Sequence, residues 1–271
     1  MAIITALNQK GGVGKTSTCY HLAGALALGG RRVLLVDNDP QASLTQGFLG
    51  PQATRALDPG ETIAAVYQQE AMADQVVRAT NVPGIDLLAG SRAAGSFNVP
   101  DPHLVDWPLQ TALRDFLADV ADRYDVVMID CPPNLHLASW TSLVASDALL
   151  VPLQPEDFGA QGIADVQESI DRVVAGPNPD LLLLGFLVTM SNPRLSVHKG
   201  FEQLLRTHYG DAVFTTTVPI STDYKEAIVQ RQPVAQYKPK GAATKVMKAL
   251  GEEIFARLAA AQTPRAAGEA A

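Results

Sequence analysis

The stretch Asn8-Gln9-Lys10-Gly11-Gly12-Val13-Gly14-Lys15-Thr16-Ser17 constrains the fold most, because it joins an apolar run, Ala2–Leu7, to a helix-like segment that opens at Lys15. Glycines at three of four consecutive positions let the backbone curl until successive N–H groups point inward, and a helix starting at the end of the curl adds partial positive charge. Strand, loop and helix together make a cradle for phosphate oxygens. Within it Lys15 is placed to reach the β- and γ-phosphates of a nucleotide, and Thr16 to put its hydroxyl on Mg2+. Gln9 stands where the pattern G-x-x-x-x-G-K-[ST] has its first glycine, and a second lysine, Lys10, lies inside the loop.

Two further elements end in carboxylates. Val36-Asp37-Asn38-Asp39-Pro40-Gln41 follows a second apolar run, and Val126-Val127-Met128-Ile129-Asp130-Cys131-Pro132-Pro133 is an apolar strand ending in one acid. Acids at the C-terminal ends of parallel strands border the ligand crevice of an open α/β sheet, where they reach Mg2+ or orient a water. Strands are predicted at Ala2–Leu7, Arg32–Val36, Ile85–Ala89, Asp125–Ile129, Ala148–Pro152 and Leu181–Thr189. Helices are predicted at Lys15–Gly29, Trp107–Arg123, Ala160–Val174, Ser196–Tyr209 and Ala242–Ala261. The alternation implies an α/β fold: a mostly parallel twisted sheet with helices on both faces. Gly50–Gly60 and Gly90–Pro108 are expected to be surface loops, residues 1–261 one domain, and the tail 262–271 disordered. With the first strand at the second residue, no N-terminal helix-turn-helix is expected.

Composition narrows the function classes. Two cysteines, Cys19 and Cys131, are too few for a disulfide framework or a thiolate cluster, and the apolar run Leu181–Met190 is too short to cross a bilayer. The net charge of −7 conceals an asymmetry: between Arg194 and Lys248 nine lysines and arginines face four acids, a net +5 that leaves −12 on the remainder. That basic stretch is either a solvated face or a surface for an anionic partner. Val246, Leu250, Ile254 and Leu258 recur every four residues in the last helix. This stripe is read as core packing rather than a membrane-lying face, because Glu252 and Glu253 interrupt it.

The motifs Lys10-Gly11-Gly12-Val13-Gly14-Lys15-Thr16, Val36-Asp37-Asn38-Asp39-Pro40-Gln41 and Ile129-Asp130-Cys131-Pro132-Pro133 resemble those of the deviant Walker A P-loop ATPases of the ParA/MinD superfamily, the ParA partition ATPases most of all. The likeness continues through Val218-Pro219, Glu226-Ala227, Pro233, Tyr237-Lys238-Pro239 and Gly241-Ala242-Ala243, so it spans nearly the whole chain. The resemblance implies an ATPase that uses ATP and Mg2+. Residues 10–17 would bind ATP, with Asn192 and Pro219 at the adenine. Thr16, Asp37 and Asp130 would surround the metal, and Lys10, Lys15 and Asp39 would serve catalysis. In the family the lysine matching Lys10 crosses a nucleotide-sandwich homodimer, and the residue matching Asp39 positions the attacking water. Family members without an N-terminal helix-turn-helix bind non-specific double-stranded DNA in the ATP state. The corresponding candidates here are Arg194, Lys199, Lys225, Arg231, Lys238 and Lys240, with Asp223 among them as a source of repulsion.

The implied role is partition of plasmid or chromosome DNA with a ParB-like or cargo-adaptor partner, in the cytoplasm and on the nucleoid. A protein cargo, such as a chemoreceptor cluster or a microcompartment, is the alternative within the family, and a MinD-like membrane regulator is another. A redox or metabolic enzyme on the same scaffold, like the nitrogenase iron protein or dethiobiotin synthetase, fits less well, since cluster binding needs thiolates and the latter lacks the Lys10-Gly11-Gly12 signature.

Overall fold

The computed structural model describes residues 1–155 and 160–262, without the side chains of 160–165 and 262. Residues 263–271, most of the segment expected to be a disordered tail, lie outside the described residues, and Gln262 closes the last helix. In chain order the elements are β1 (Ala2–Ala6), α1 (Lys15–Leu28), β2 (Val33–Asp37), α2 (Ser43–Leu49), α3 (Pro51–Arg55), α4 (Ile63–Gln68), α5 (Ala73–Val76), β3 (Val77–Ala79) and β4 (Ile85–Leu88). They continue with α6 (Trp107–Asp119), β5 (Val126–Asp130), α7 (Leu137–Ala145), β6 (Ala148–Leu153), α8 (Ala160–Val174), β7 (Leu182–Val188), α9 (Ser196–Tyr209), α10 (Thr222–Val229), α11 (Val234–Tyr237) and α12 (Ala242–Gln262).

Among the described residues the strands form one seven-stranded sheet in the order β3-β4-β2-β5-β1-β6-β7, parallel except for β3. Along each central strand alternate side chains enter opposite cores. Leu34, Val36, Val127 and Ile129 pack with α4, α6 and α7, whereas Val33, Leu35, Val126 and Met128 pack with α1 and α12. Burial on both faces explains why these strands read as unbroken apolar runs. The α12 stripe lies in the second core, with Met247, Leu250 and Ile254 almost wholly buried.

Several boundaries differ from the expectations. The helix expected over Trp107–Arg123 stops at Asp119, and a 3-10 turn at Ala121–Arg123 brings the chain back toward β5. The stretch 50–60 holds α3, with Pro51 in its first turn, and a 3-10 turn at Pro59–Glu61 capped by Asp58. In 90–108, 3-10 turns form at Arg92–Ser96 and Pro102–Leu104 before α6 begins. One or two turns of helix are too short to show periodicity, so such pieces read as loop.

The sheet's two outer strands are closed in different ways. β3 has only three residues. Beside β7, Phe186 bridges Val213, and two α12 side chains hold the backbone nearby. Glu253 accepts the N–H groups of Thr215 and Thr216 at 2.7 and 2.8 Å, while the Arg257 guanidinium donates to the carbonyls of Leu184, Asp211 and Val213.

α11 is anchored on α1 through His21, which is fully buried and accepts the Val234 N–H at Nδ1 at 3.0 Å. Its ring lies against Tyr20 and Tyr224, and burial pulls its pKa down to about 3. A proton on Nδ1 would break the bond to Val234 and leave a charge in the core. The folded state thus holds His21 neutral where the unfolded chain protonates near pH 6.5. His21 therefore adds stability that is complete above that pH and is lost as pH falls toward the folded value. Urea unfolding of wild type and His21→Leu between pH 7.5 and 4 checks this: the stability difference between them is expected to shrink as the solution is acidified.

Candidate nucleotide site

The loop between β1 and α1 is held from below by side chains. Asn8, buried, donates to the Pro152 carbonyl at 2.7 Å and accepts the Lys10 N–H at 2.9 Å. Thr189, just past β7, donates to the Val13 carbonyl at 2.7 Å, and Gln154, just past β6, donates to that of Gly12 at 3.3 Å. Gly12 and Gly14 take φ of 78° and 86°, a left-handed conformation that glycine adopts without strain. Gly14 is also the N-cap of α1, with no side-chain cap and no acid in the first turn, so the N–H groups of Lys15, Thr16 and Ser17 are not spent on a capping side chain.

Lys15 is buried, and its ammonium donates to the carbonyls of Asn8 and Lys10 at 3.0 and 3.1 Å. Burial lowers its pKa, and the charge of Asp130 opposes that shift. Lys10 is exposed on the same loop. The two lysines of the motif thus have different settings: one is fixed under the loop, the other is carried on its outside.

Asp37 and Asp130 are register partners at the C-terminal ends of β2 and β5, both fully buried. Burial raises both pKa values; the like charge of Asp37 adds to the shift of Asp130, and that of Asp39 to the shift of Asp37. The Thr45 backbone N–H and hydroxyl donate to Asp37 Oδ2 at 2.7 and 2.6 Å, and the same hydroxyl accepts the Gly90 N–H. A Cβ on Gly90 would stand 2.7 Å from the Asp37 carboxyl carbon, so glycine is needed there for close approach. Among the described residues Asp37 Oδ1 and both Asp130 oxygens have no hydrogen-bond donor within bonding geometry, the nearby Thr16 hydroxyl offsetting only part of Asp130's shift. Buried, donor-less carboxylate oxygens are the chemistry that a hard cation satisfies. Among the described residues no three His, Cys, Asp or Glu side chains converge on a point. Thr16, Asp37 and Asp130 fit Mg2+, which uses one or two carboxylates and completes its shell with phosphate and water.

Asp39, half-buried, lies one turn of the loop beyond Asp37 and caps it by accepting the Gln41 N–H at 2.9 Å. Pro219 lines an apolar cavity of about 230 Å³ that opens beside Gly14 and Ser17, with Met190, Ile220 and Ile228. Asn192 is not part of that lining; its side chain accepts the Arg194 N–H in a local turn. Cys131 is buried with its thiol pushed up to about 12, and burial pushes Cys19 up as well. Neither thiol has the thiolate character of a nucleophile or redox centre. Thr45, Gln154 and Thr189 had no motif to mark them, and Asn8, though it opens the glycine loop, had no role assigned, since ordinary polar residues gain meaning here only from what the fold sets beside them.

The six basic candidates separate. Arg194, Lys199, Lys225 and Lys240 are exposed. Lys238 is paired with Asp223 at 2.6 Å and Glu226 at 2.9 Å, and these partners raise its pKa. Asp223, expected to repel an anionic partner, is thus paired with a cation that it shares with Glu226. The Arg231 guanidinium donates to the Leu49 carbonyl.

Comparison with known proteins follows the same lines. A model of the AAA domain family matches residues 1–183. The chromosome-partitioning ATPase Soj of Thermus thermophilus is 36% identical over 263 residues, covering 94% of this chain and 96% of its own. This chain belongs to the ParA/MinD-type ATPases. The chromosome partitioning protein ParA of Caulobacter vibrioides is 32% identical over 260 residues, 95% of each chain. Among solved structures, cobyrinic acid a,c-diamide synthase of Mycobacterium smegmatis with bound ADP and magnesium superposes with a TM-score of 0.81 at 26% identity, over 97% of both chains.

The buried acids of this ParA-type chain carry a stability cost. Asp130→Asn removes a charge that burial disfavours, and is expected to stabilise the nucleotide-free protein by about 1–3 kcal/mol at pH 7. Urea denaturation without nucleotide or added metal checks it.

Proposed function

We propose that residues 1–261 act as a single ATPase domain that binds ATP with Mg2+, dimerises across the bound nucleotide, and in that state binds non-specific duplex DNA to segregate or position cargo with a ParB-like or adaptor partner. The observation that carries the nucleotide reading is the glycine loop with Lys15 beneath it, flanked by two buried carboxylates that have donor-less oxygens. The partition role is supported by the relatives named Soj and ParA, which match along nearly their full length.

In this reading the uncapped N–H groups of α1 and the loop hold the phosphates, and Lys15 exchanges its two carbonyl acceptors for phosphate oxygens. Mg2+, when bound, supplies neutralisation of phosphate charge. Thr16, Asp37 and Asp130 hold it, Thr45 fixing the orientation of Asp37. Asp39 orients the attacking water, and the exposed Lys10 reaches the nucleotide of the second protomer. The apolar cavity lined by Pro219 and Met190 takes the base. Binding that selects the dimer shifts the population toward it, and hydrolysis reverses the shift.

Arg194, Lys199, Lys225 and Lys240 are the residues assigned to DNA phosphates, because Lys238 is already paired with two acids. A site in the cytoplasm and on the nucleoid agrees with this surface. A membrane-lying role for α12 is disfavoured, since its apolar stripe is used in the core; no helix among the described residues is long and apolar enough to cross a membrane. A protein cargo in place of DNA would use the same switch.

Two experiments test this reading. Asp39→Ala is expected to bind ATP with normal affinity yet hydrolyse it about 100-fold more slowly or worse, in a phosphate-release assay; turnover at the wild-type rate would move the water-orienting role elsewhere. Binding to random-sequence duplex DNA across a salt series is expected with ATP and not with ADP. Lys199→Ala should then reduce the log–log salt slope by about 1 per protomer, with Lys238→Ala leaving it nearly unchanged.

A further inference from the structure

Between the two acids of the Asp37-Asn38-Asp39 loop stands a buried amide whose side-chain polar atoms are bonded to α7 and α4. Asn38 is 1% exposed. Its Nδ2 donates to the Ala138 carbonyl at 2.7 Å and to the Ser142 hydroxyl at 2.9 Å, both on α7. Its Oδ1 accepts the Tyr67 hydroxyl of α4 at 2.8 Å, and its backbone N–H donates to the Asp130 carbonyl at 2.9 Å. Tyr67 in turn shares a 2.8 Å hydrogen bond with Thr141, and its ring stacks on Phe97. On the far side of α7, Ser146 bonds Thr5 of β1 at 2.6 Å. One residue thus joins the loop after β2, the carbonyl end of β5, the helix that follows the β5 loop, and α4.

The chemistry of the position admits few substitutes. An amide offers two donors and an acceptor to a site with a carbonyl and a hydroxyl on one side and a phenol on the other. A carboxylate would set a charge against the Ala138 carbonyl and a third acid beside Asp37 and Asp130. An aliphatic residue of similar size would leave the Tyr67 hydroxyl and the α7 groups short of a partner. The two neighbours of Asn38 in the chain are the acids assigned to the metal and to the water, while α7 starts seven residues after Asp130. A satisfied buried network of this kind is stiff, since no member can move without stranding another.

We propose that Asn38 is a positioning residue that locks the Asp37–Asp39 loop to α7, so that the water-orienting acid and the segment after Asp130 move as one body. For catalysis the inference rests on the ATPase reading above; for mechanical coupling it does not. Rearrangement of either loop is transmitted through Asn38 and Tyr67 to α4 and to the Phe97 segment on the outside of the molecule.

The test uses the full chain, with Asn38→Leu and the milder Tyr67→Phe, which deletes a single hydroxyl. In nucleotide-free protein, amide hydrogen exchange is expected to quicken together in 38–41 and 134–145 for both variants, with α12 unchanged. Exchange that quickens only at 38–41 would overturn the coupling. In steady-state hydrolysis, Asn38→Leu is expected to lower kcat about tenfold with KM held within about twofold, and adding Tyr67→Phe is expected to cost little more, as for two parts of one unit. A wild-type kcat in Asn38→Leu, or losses that multiply in the double variant, would overturn the positioning role. Failure of the wild-type protein itself to hydrolyse ATP would instead refute the ATPase reading, leaving the exchange experiment to decide the coupling.

Discussion

The parallel pairing of β2 and β5 sets Asp37 directly across from Asp130 in a place that water does not reach. Two like charges so close, with burial raising both pKa values, are unfavourable to the fold by themselves. The neighbouring structure limits that cost without removing it. Lys15 lies near enough to attract Asp130, and Thr45 satisfies one oxygen of Asp37 twice. The carboxylates are therefore held in position but left incompletely satisfied, which is the condition under which a cation gains most by arriving. Preorganisation of this sort exchanges stability for affinity.

The clamp on the phosphate loop has the same logic. Asn8, Gln154 and Thr189 tie loop carbonyls and N–H groups to the ends of β6 and β7, so the left-handed glycines do not have to find their conformation when a ligand arrives. Order acquired during folding need not be acquired again during binding. The cradle is thereby shaped before any ligand arrives.

Much of this was legible in the amino-acid sequence because it is local. The glycine loop, the strand ends at Asp37 and Asp130, and the long helices Ala160–Val174 and Ser196–Tyr209 are each written in consecutive residues, and both helices begin and end where their periodicity does. The rest depends on distant partners. Thr45 acquires its role from Asp37 and Gly90, Thr189 from Val13 across 176 residues, and Lys238 is paired with acids that precede it by 12 and 15 residues. Asn38 carries no role of its own in the sequence until α7 and α4 are packed around it. Asn192, assigned by resemblance to the base, accepts the Arg194 N–H in a local turn.

The closure of the sheet's outer strands bears on a different property. An open parallel edge offers its N–H and C=O groups to any extended chain, and a protein that gathers at high local density presents that edge to many copies of itself. Here Glu253 and Arg257 occupy the backbone beside β7, and at the other end β3 is too short to template a neighbour. Association through strand pairing is thereby steered away from the sheet margins.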